Sequence, residues 1–492
     1  LPHGITGGYH QDSQSVSITR ERYAPFEENQ RVDVASQPVS TFSIDVDTGS
    51  YTNVRRFLRM GQLPPKEAVR IEEFINYFDY HYPVQRENPF TVSYEIAPSP
   101  FAKGRHLLKL GIKTRDAADV TSKPWNLVFL VDVSGSMSSQ DKLPLVKQSL
   151  HILTDQMRPE DRIALVTYAG SAGLVLSSTL GTEKQKIHSA IDMLGSGGST
   201  HGSAGIQLAY QVAQQNRVEA GINRVILATD GDFNVGTTSF DELMRLIEQK
   251  RETGTTLTTL GFGQGNIQEQ TMEQLANRGN GNYFYIDSLQ EARKVLQTDL
   301  FANLEVVAKD VKLQIEFNPS QVREYRLIGY ENRKLKNEDF NNDLIDAGEV
   351  GSGHTVTALY ELVLQGSELP ELNALRYKPE HAQVGSEEKP SAHSDEIAFL
   401  KVRDKEPEGQ ISQLKTFAIL SRDIKQVLSE ASDDFRFAVA VSGFAALLRQ
   451  SAFVGSATYE QVLVLAGESV GEDSHGYRRE FLELVKNALA VN

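Results

Sequence analysis

The chain has 492 residues, a formal net charge of −15 and no cysteine. Disulfides, thiolate metal sites and thiol catalysis are therefore excluded, and nucleic acid, whose phosphates call for clustered Lys and Arg, is a poor partner. The length suits roughly three domains. No apolar stretch reaches membrane-spanning length; the best, Phe437 to Leu448, is short and contains Ser442 and Gly443. The chain begins at Leu1 rather than Met, so an export signal or lipid anchor upstream of residue 1 is compatible with it.

Residues 1–37 are polar, with Gly, Ser and Gln and little periodicity, and read as a flexible arm. Residues 38–89 are expected to be mainly helical. Phe42 to Tyr51 alternates like a strand closed by a turn, and helical stretches follow at Asn53–Met60 and Lys66–Phe78, split by Pro64 and Pro65. Asp47-Thr48-Gly49-Ser50 invites an aspartic-protease reading, in which two carboxylates share a proton. That enzyme needs a second such loop or a symmetric dimer, and Asp-Thr-Gly does not recur, so a turn or a minor ion contact is the better reading.

Phe90–Ile96 and His106–Lys113 alternate like strands, and so do Val311–Phe317, Val322–Tyr330, Thr355–Leu364 and Glu396–Lys401. Residues 90–122 and 304–404 are thus predicted to form one β-sandwich from both flanks, with a polar loop at 366–395 that is mobile at its tip. Between them, 123–303 alternates strand and helix. Strands are predicted at Asn126–Asp132, Arg162–Tyr168, Leu174–Ser178, Asn223–Asp230, Thr255–Phe262 and Tyr283–Asp287. Thr182 with Gln185, and Ser239 with Glu242, have capping-box spacing. The expected fold class is α/β: a doubly wound, mostly parallel six-stranded sheet inserted into the sandwich, with helical additions at both ends. Residues 405–492 read as helical. Their face of Phe481, Leu484, Val485 and Ala488 must pack on the N-terminal helices or on the sandwich.

In an open α/β sheet, ligands collect beyond the carboxyl ends of the strands, where strand order reverses. Asp132 ends the first strand of the block and leads the turn Asp132-x-Ser134-x-Ser136. Asp230 ends the fourth strand and is followed by Gly231. Between them, Gly195-Ser196-Gly197-Gly198-Ser199-Thr200 is a glycine-rich helix entry. Two carboxylates and three hydroxyls suit a hard, oxygen-seeking cation. Taken singly, Ser134 and Ser136 could cap the following helix, and Asp230 could cap a turn. Ser138, Asp232 and Asn234 are more often solvated loop residues. His188 and His201 are lone imidazoles, and Gly261–Asn266 is a strand-to-helix turn rather than a nucleotide loop.

Asp132-x-Ser134-x-Ser136, Thr200 and Asp230-Gly231 together resemble the metal-ion-dependent adhesion site (MIDAS) of von Willebrand factor type A (VWA) domains. The flanks, including Ser43-Ile44-Asp45-Val46-Asp47-Thr48-Gly49-Ser50-Tyr51, resemble a bacterial envelope group with an N-terminal VWA-associated region, here 38–89, and a C-terminal domain of unknown function. Some of that group are catalogued as calcium-activated chloride channel homologues, a label that a chain with no pore-forming stretch does not support. The resemblance implies a divalent cation, Mg²⁺ foremost with Ca²⁺ or Mn²⁺ as alternatives, held directly or through water by Ser134, Ser136 and Thr200. Asp132 and Asp230 would mostly orient water and hydroxyls. An ion with few carboxylate ligands keeps much of its charge, and a partner protein's Asp or Glu can fill its exchangeable position. The expected function is metal-dependent adhesion or scaffolding in the cell envelope, periplasmic or lipid-anchored, without catalysis. Two rivals are a metal-assisted hydrolase, which needs a second metal or a general base, and a structural ion with function in the sandwich or C-terminal helices.

Overall fold

A computed structural model describes residues 21, 23, 25–84, 88–115, 123–198, 202–231, 239–265, 268–300, 302, 306–345, 347–370, 372, 393–407 and 409–492. The tip of the loop at 366–395, together with Thr200, His201, Asp232 and Asn234, lies outside the described residues.

Strands β1 (Val32–Asp33) and β2 (Val39–Ser43) are followed by the helices Gly49–Arg59 and Ile71–Asn76, then by β3 (Phe90–Pro98) and β4 (His106–Thr114). The α/β block contains β5 (Trp125–Asp132), β6 (Arg162–Tyr168), β7 (Ala172–Leu180), β8 (Ile222–Thr229), β9 (Thr255–Phe262) and β10 (Tyr283–Ile286). Beyond it come β11 (Val306–Phe317), β12 (Val322–Ile328), β13 (Gly348–Gly351), β14 (Thr355–Leu364), β15 (Glu396–Lys405) and β16 (Gln413–Leu420).

The block forms a six-stranded sheet in the order β10-β9-β8-β5-β6-β7, parallel throughout except for antiparallel β6–β7. Every residue of β5 is buried. Its side chains divide by parity: Leu127, Phe129 and Val131 join one apolar cluster, while Val128 and Leu130 join another. The first cluster holds the faces of helices Leu143–Gln156 and Lys184–Asp192; the second holds Gly202–Gln215 and Phe240–Glu252. A continuous apolar strand is thus the signature of a sheet covered on both faces. Ser239 and Glu242 form the expected capping box. Thr182 and Gln185 do not, because Gly181–Glu183 makes a 3-10 turn and the helix starts only at Lys184 without a side-chain cap.

The sandwich is assembled from both flanks. β3 and β4, from before the block, pair in the sheet β1-β12-β14-β4-β3, which faces β13-β11-β15-β16 across a shared core that includes Leu110, Ile315, Tyr360 and Leu400. Three boundaries differ from expectation. β2, in the stretch read as mainly helical, pairs with β11. β16, in the stretch read as C-terminal helix, completes the second sheet; its alternation is muted because seven of its eight residues are exposed or only half-buried, Ile419 alone being buried. The end of the polar arm is docked rather than free: β1 pairs with β12, and Asn29 Nδ2 donates to the carbonyls of Leu327 and Gly329.

The C-terminal helices Asp433–Leu448, Tyr459–Gly467 and Tyr477–Val491 share a core with the two N-terminal helices and with Ala97, Leu107, Ile328 and Leu359 of the sandwich. Phe481, Leu484, Val485 and Ala488 all lie in it. Among the described residues no helix is long and apolar enough to cross a membrane.

Arg55, with its side chain 1% exposed, joins these bodies. Its guanidinium donates to Asp287 Oδ1 and Oδ2 at 2.5 and 2.8 Å, to Glu291 Oε2 at 2.8 Å, to Tyr77 at 2.9 Å and to Glu480 Oε2 at 3.0 Å. Nearby, Asp45, Asp47, Glu72, Glu73, Glu269, Glu273 and Glu331 crowd around Arg70 and Arg333 at the junction of the N-terminal helices, the α/β block and the sandwich. Neither carboxylate oxygen of Glu72 or Glu269 has a hydrogen-bond partner among the described residues. Burial, reinforced by neighbouring carboxylates and opposed by the arginines, pushes Asp47 and Glu269 up to about 8 and Glu72 up to about 7.

Two outcomes follow. Arg55→Met leaves buried Glu291 without its guanidinium and takes one of two arginine partners from Asp287 and from Glu480; it should cost about 3–5 kcal/mol, read as a lower denaturation midpoint with the α/β block melting apart from the helices. The native state keeps protons on Asp47, Glu72 and Glu269 that the unfolded chain releases above its ordinary carboxylate range. Stability from this cluster is therefore greatest at acid pH and is lost as pH rises through about 7 to 8. Thermal midpoints should fall between about pH 5.5 and about pH 8.5, and Glu269→Gln should flatten that fall.

Candidate metal centre

β5 has β6 on one side and β8 on the other, so strand order reverses at its carboxyl end. Val131 pairs with Ala228, which brings Asp132 level with Thr229 and sets Asp230 just beyond. Asp132 Oδ2 accepts hydrogen bonds from Thr229 Oγ1 at 2.9 Å and from the Tyr168 hydroxyl, at the end of β6, at 3.2 Å. Its Oδ1 accepts from the Ser134 amide at 2.9 Å. That last bond curls the turn, and Ser134 Oγ comes to lie 3.0 Å from Ser136 Oγ. Neither serine serves as a cap: the 3-10 turn Gly135–Ser138 has no side-chain cap bond, and nor has the helix Leu143–Gln156.

The glycine-rich loop is stitched to this turn. The Gly135 amide donates to Gly198 O at 3.1 Å, and the Gly197 amide donates to Val133 O at 2.7 Å. Asp230 Oδ2 accepts from Lys142 Nζ at 2.8 Å, and Gly231 turns the chain away at φ +91°. Asp132, Ser134 and Asp230 are buried, Ser136 is half-buried and Gly135 is exposed, so the turn forms the solvent side. Burial pushes the Asp132 carboxyl up, against the hydrogen bonds from Ser134, and Asp230 adds to the rise.

Of the five residues expected at a cation, Asp132, Ser134, Ser136 and Asp230 share this crevice, and Thr200 lies outside the described residues. Among the described residues no group of three His, Cys, Asp or Glu side chains could hold a metal ion. An ion here would have to rely on hydroxyls, and the donor set suits that. Adjacent ligands around octahedral Mg²⁺, each about 2.1 Å from the ion, lie about 3 Å apart, and the two serine oxygens already have that spacing. Asp132, by contrast, is committed to three donors and acts as an anchor.

Sequence reasoning missed Tyr168, Thr229 and Lys142. Tyr168 and Thr229 end the strands flanking β5, and that place was a usable signal. Lys142 had none, because its approach to Asp230 depends on the loop after β9. His188 lies away from the site, stacked on His151. Gly261–Gly265 makes the expected strand-to-helix turn, with Gly263 O accepting from the Tyr285 hydroxyl.

This arrangement is that of a von Willebrand factor type A domain, and residues 126–298 match the family described as "von Willebrand factor type A domain". Residues 17–109 match a second family, "von Willebrand factor", and 302–491 match "Uncharacterized protein YfbK, C-terminal". The chain is 45% identical over 478 residues to the uncharacterized protein YfbK of Escherichia coli, covering 96% of this chain and 81% of that one. It belongs to the YfbK family. It is also similar to inter-alpha-trypsin inhibitor heavy chain H4 of Homo sapiens, 30% identical over 172 residues, which is 33% of this chain and 18% of that protein. Among solved structures, a von Willebrand factor type A protein from Catenulispora acidiphila aligns at a TM-score of 0.43 and 15% identity, covering 80% of this chain and 89% of that one.

Thr229→Val keeps the shape of the side chain but removes the hydroxyl that holds Asp132. It should destabilise the fold by about 1.5–3 kcal/mol in denaturant titrations and weaken Mg²⁺ binding in calorimetry.

Proposed function

We propose that this protein is a non-enzymatic binding module in which a divalent cation bridges the chain to an acidic side chain of a partner protein. Ser134, Ser136 and Thr200 hold the ion, Mg²⁺ foremost with Ca²⁺ or Mn²⁺ as alternatives, while Asp132 and Asp230 orient water and hydroxyls around it. The α/β block, 123–303, presents the site, and the flanking sandwich and helices are its scaffold. The observation that carries this reading is the hydroxyl pair 3.0 Å apart beside carboxylates already bonded to Thr229, Tyr168, Ser134 and Lys142. Carboxylates so occupied neutralise an ion poorly, and an under-neutralised Mg²⁺ attracts a carboxylate from outside. The match of residues 126–298 to the von Willebrand factor type A domain family supports the same reading, and an envelope location, periplasmic or lipid-anchored, goes with it.

Capture of partners from an envelope fraction of the native source tests it. Partners should be retained with Mg²⁺ and released by chelator, and Asp132→Ala should lower Mg²⁺ affinity about 10–100-fold and lose the same partners. Retention of every partner by Asp132→Ala in the presence of chelator would refute metal bridging.

A further inference from the structure

We propose that Lys142 is a tethered counter-cation that competes with the divalent ion for Asp230 and so sets the affinity of the site. This inference rests on the metal-binding reading above. The ammonium lies 2.8 Å from Asp230 Oδ2, with the lysine side chain 9% exposed and the aspartate fully buried. The pair is built in rather than incidental. The Lys142 amide donates to Ser139 O at 3.0 Å and its carbonyl accepts from the Val146 amide at 2.9 Å, fixing the backbone at the helix entry. Its stem lies across Gly263, at φ +73°, where a β-carbon would collide with the lysine Cγ and Cε. The carbonyl of Gly263 is held in turn by Tyr285 at 2.6 Å. The ammonium is thereby aimed at the carboxylate.

Two cations drawn to one buried carboxylate repel each other, and partial exclusion of water keeps that repulsion strong. With Lys142 in place, Asp132, Asp230 and the lysine sum to one negative charge; without it they sum to two. Lys142 therefore weakens capture of the ion, keeps it exchangeable and leaves more of its charge for a guest carboxylate.

The test is calorimetric titration of Mg²⁺, with Mn²⁺ followed by electron paramagnetic resonance, on the full chain carrying Lys142, Lys142→Met or Lys142→Arg. Lys142→Met should bind both ions about tenfold or more tightly, and Lys142→Arg should stay within about threefold of the natural chain. Circular dichroism melts check folding, and Lys142→Gln is the second neutral variant should Lys142→Met not fold. Unchanged or weaker binding by the neutral variants, beside measurable binding by the natural chain, would overturn the role of Lys142 alone. No binding of either ion by any of the proteins would overturn the metal reading, and this inference with it.

Discussion

Arg55 sits on the first helix among the described residues, Gly49–Arg59, yet the carboxylates it satisfies come from the end of the α/β block and from the helix Tyr477–Val491. Asp287 and Glu291 belong to the first, Glu480 to the second, and the Tyr77 hydroxyl donates a further hydrogen bond to Glu291. Only a planar guanidinium with five donors can serve this many acceptors from one buried point; a lysine at this position would leave several unpaired. Stripping water from so many charges is costly, so such a network contributes little net stability compared with apolar packing. What it contributes is register: these helices can meet the block in one orientation without stranding a buried charge. Arg59, at the rim of the same cluster, pairs with Asp287 and Glu480 and extends the join to the surface.

That join bears on the site because of where Asp287 lies. It follows β10, Gly263 follows β9, Asp230 follows β8, Asp132 ends β5 and Tyr168 ends β6, so all stand on the carboxyl edge of one sheet. The flanking region therefore grips the same edge that carries the candidate metal centre. A second grip lies between them: Arg56 pairs with Glu21, whose Oε1 accepts from the Gly265 amide at 3.0 Å. The loop Gly263–Gly265 is thus held by the N-terminal segment on one side and packs against Lys142 on the other, and Lys142 reaches Asp230. An unbroken set of contacts runs from the first helix to the site.

Much of this was legible in the sequence, for definite reasons. Strands covered on both faces are apolar throughout, so β5 and β8 declare themselves, and a carboxylate at the end of such a strand has a fixed place in an α/β sheet. Asp132 and Asp230 could therefore be brought together without coordinates. Strands on a half-solvated sheet give a weaker signal, and β16, largely exposed, was read as part of a helical region. The docking of Glu21 and Asn29 was illegible because single polar side chains do it, with no periodicity. Lys142 was hidden for the same reason: a lysine in a loop looks solvated unless the partner loop is known to have a glycine beneath it. Asp47, which opens the Asp-Thr-Gly-Ser turn, lies with Asp45 against Arg333, whose guanidinium donates to both carboxyl groups.

The contrast between the two acidic regions carries the last step. By count, the junction of Asp45, Asp47, Glu72, Glu73, Glu269 and Glu273 offers a cation far more negative charge than Asp132 and Asp230 do. Arginines already occupy it, however, and burial favours protons over free carboxylates there, so its acids act as interdomain packing with a pH dependence. Among the described residues, the crevice at the carboxyl ends of β5 and β8 brings together two acids, Asp132 and Asp230. Each is tied to donors from its own domain, and two hydroxyls stand free of caps at the spacing of neighbouring ligands. Charge density alone does not define a cation site. The spacing of neutral hydroxyl oxygens does, and a site poor in charge is the kind that leaves an ion able to attract a carboxylate from another molecule.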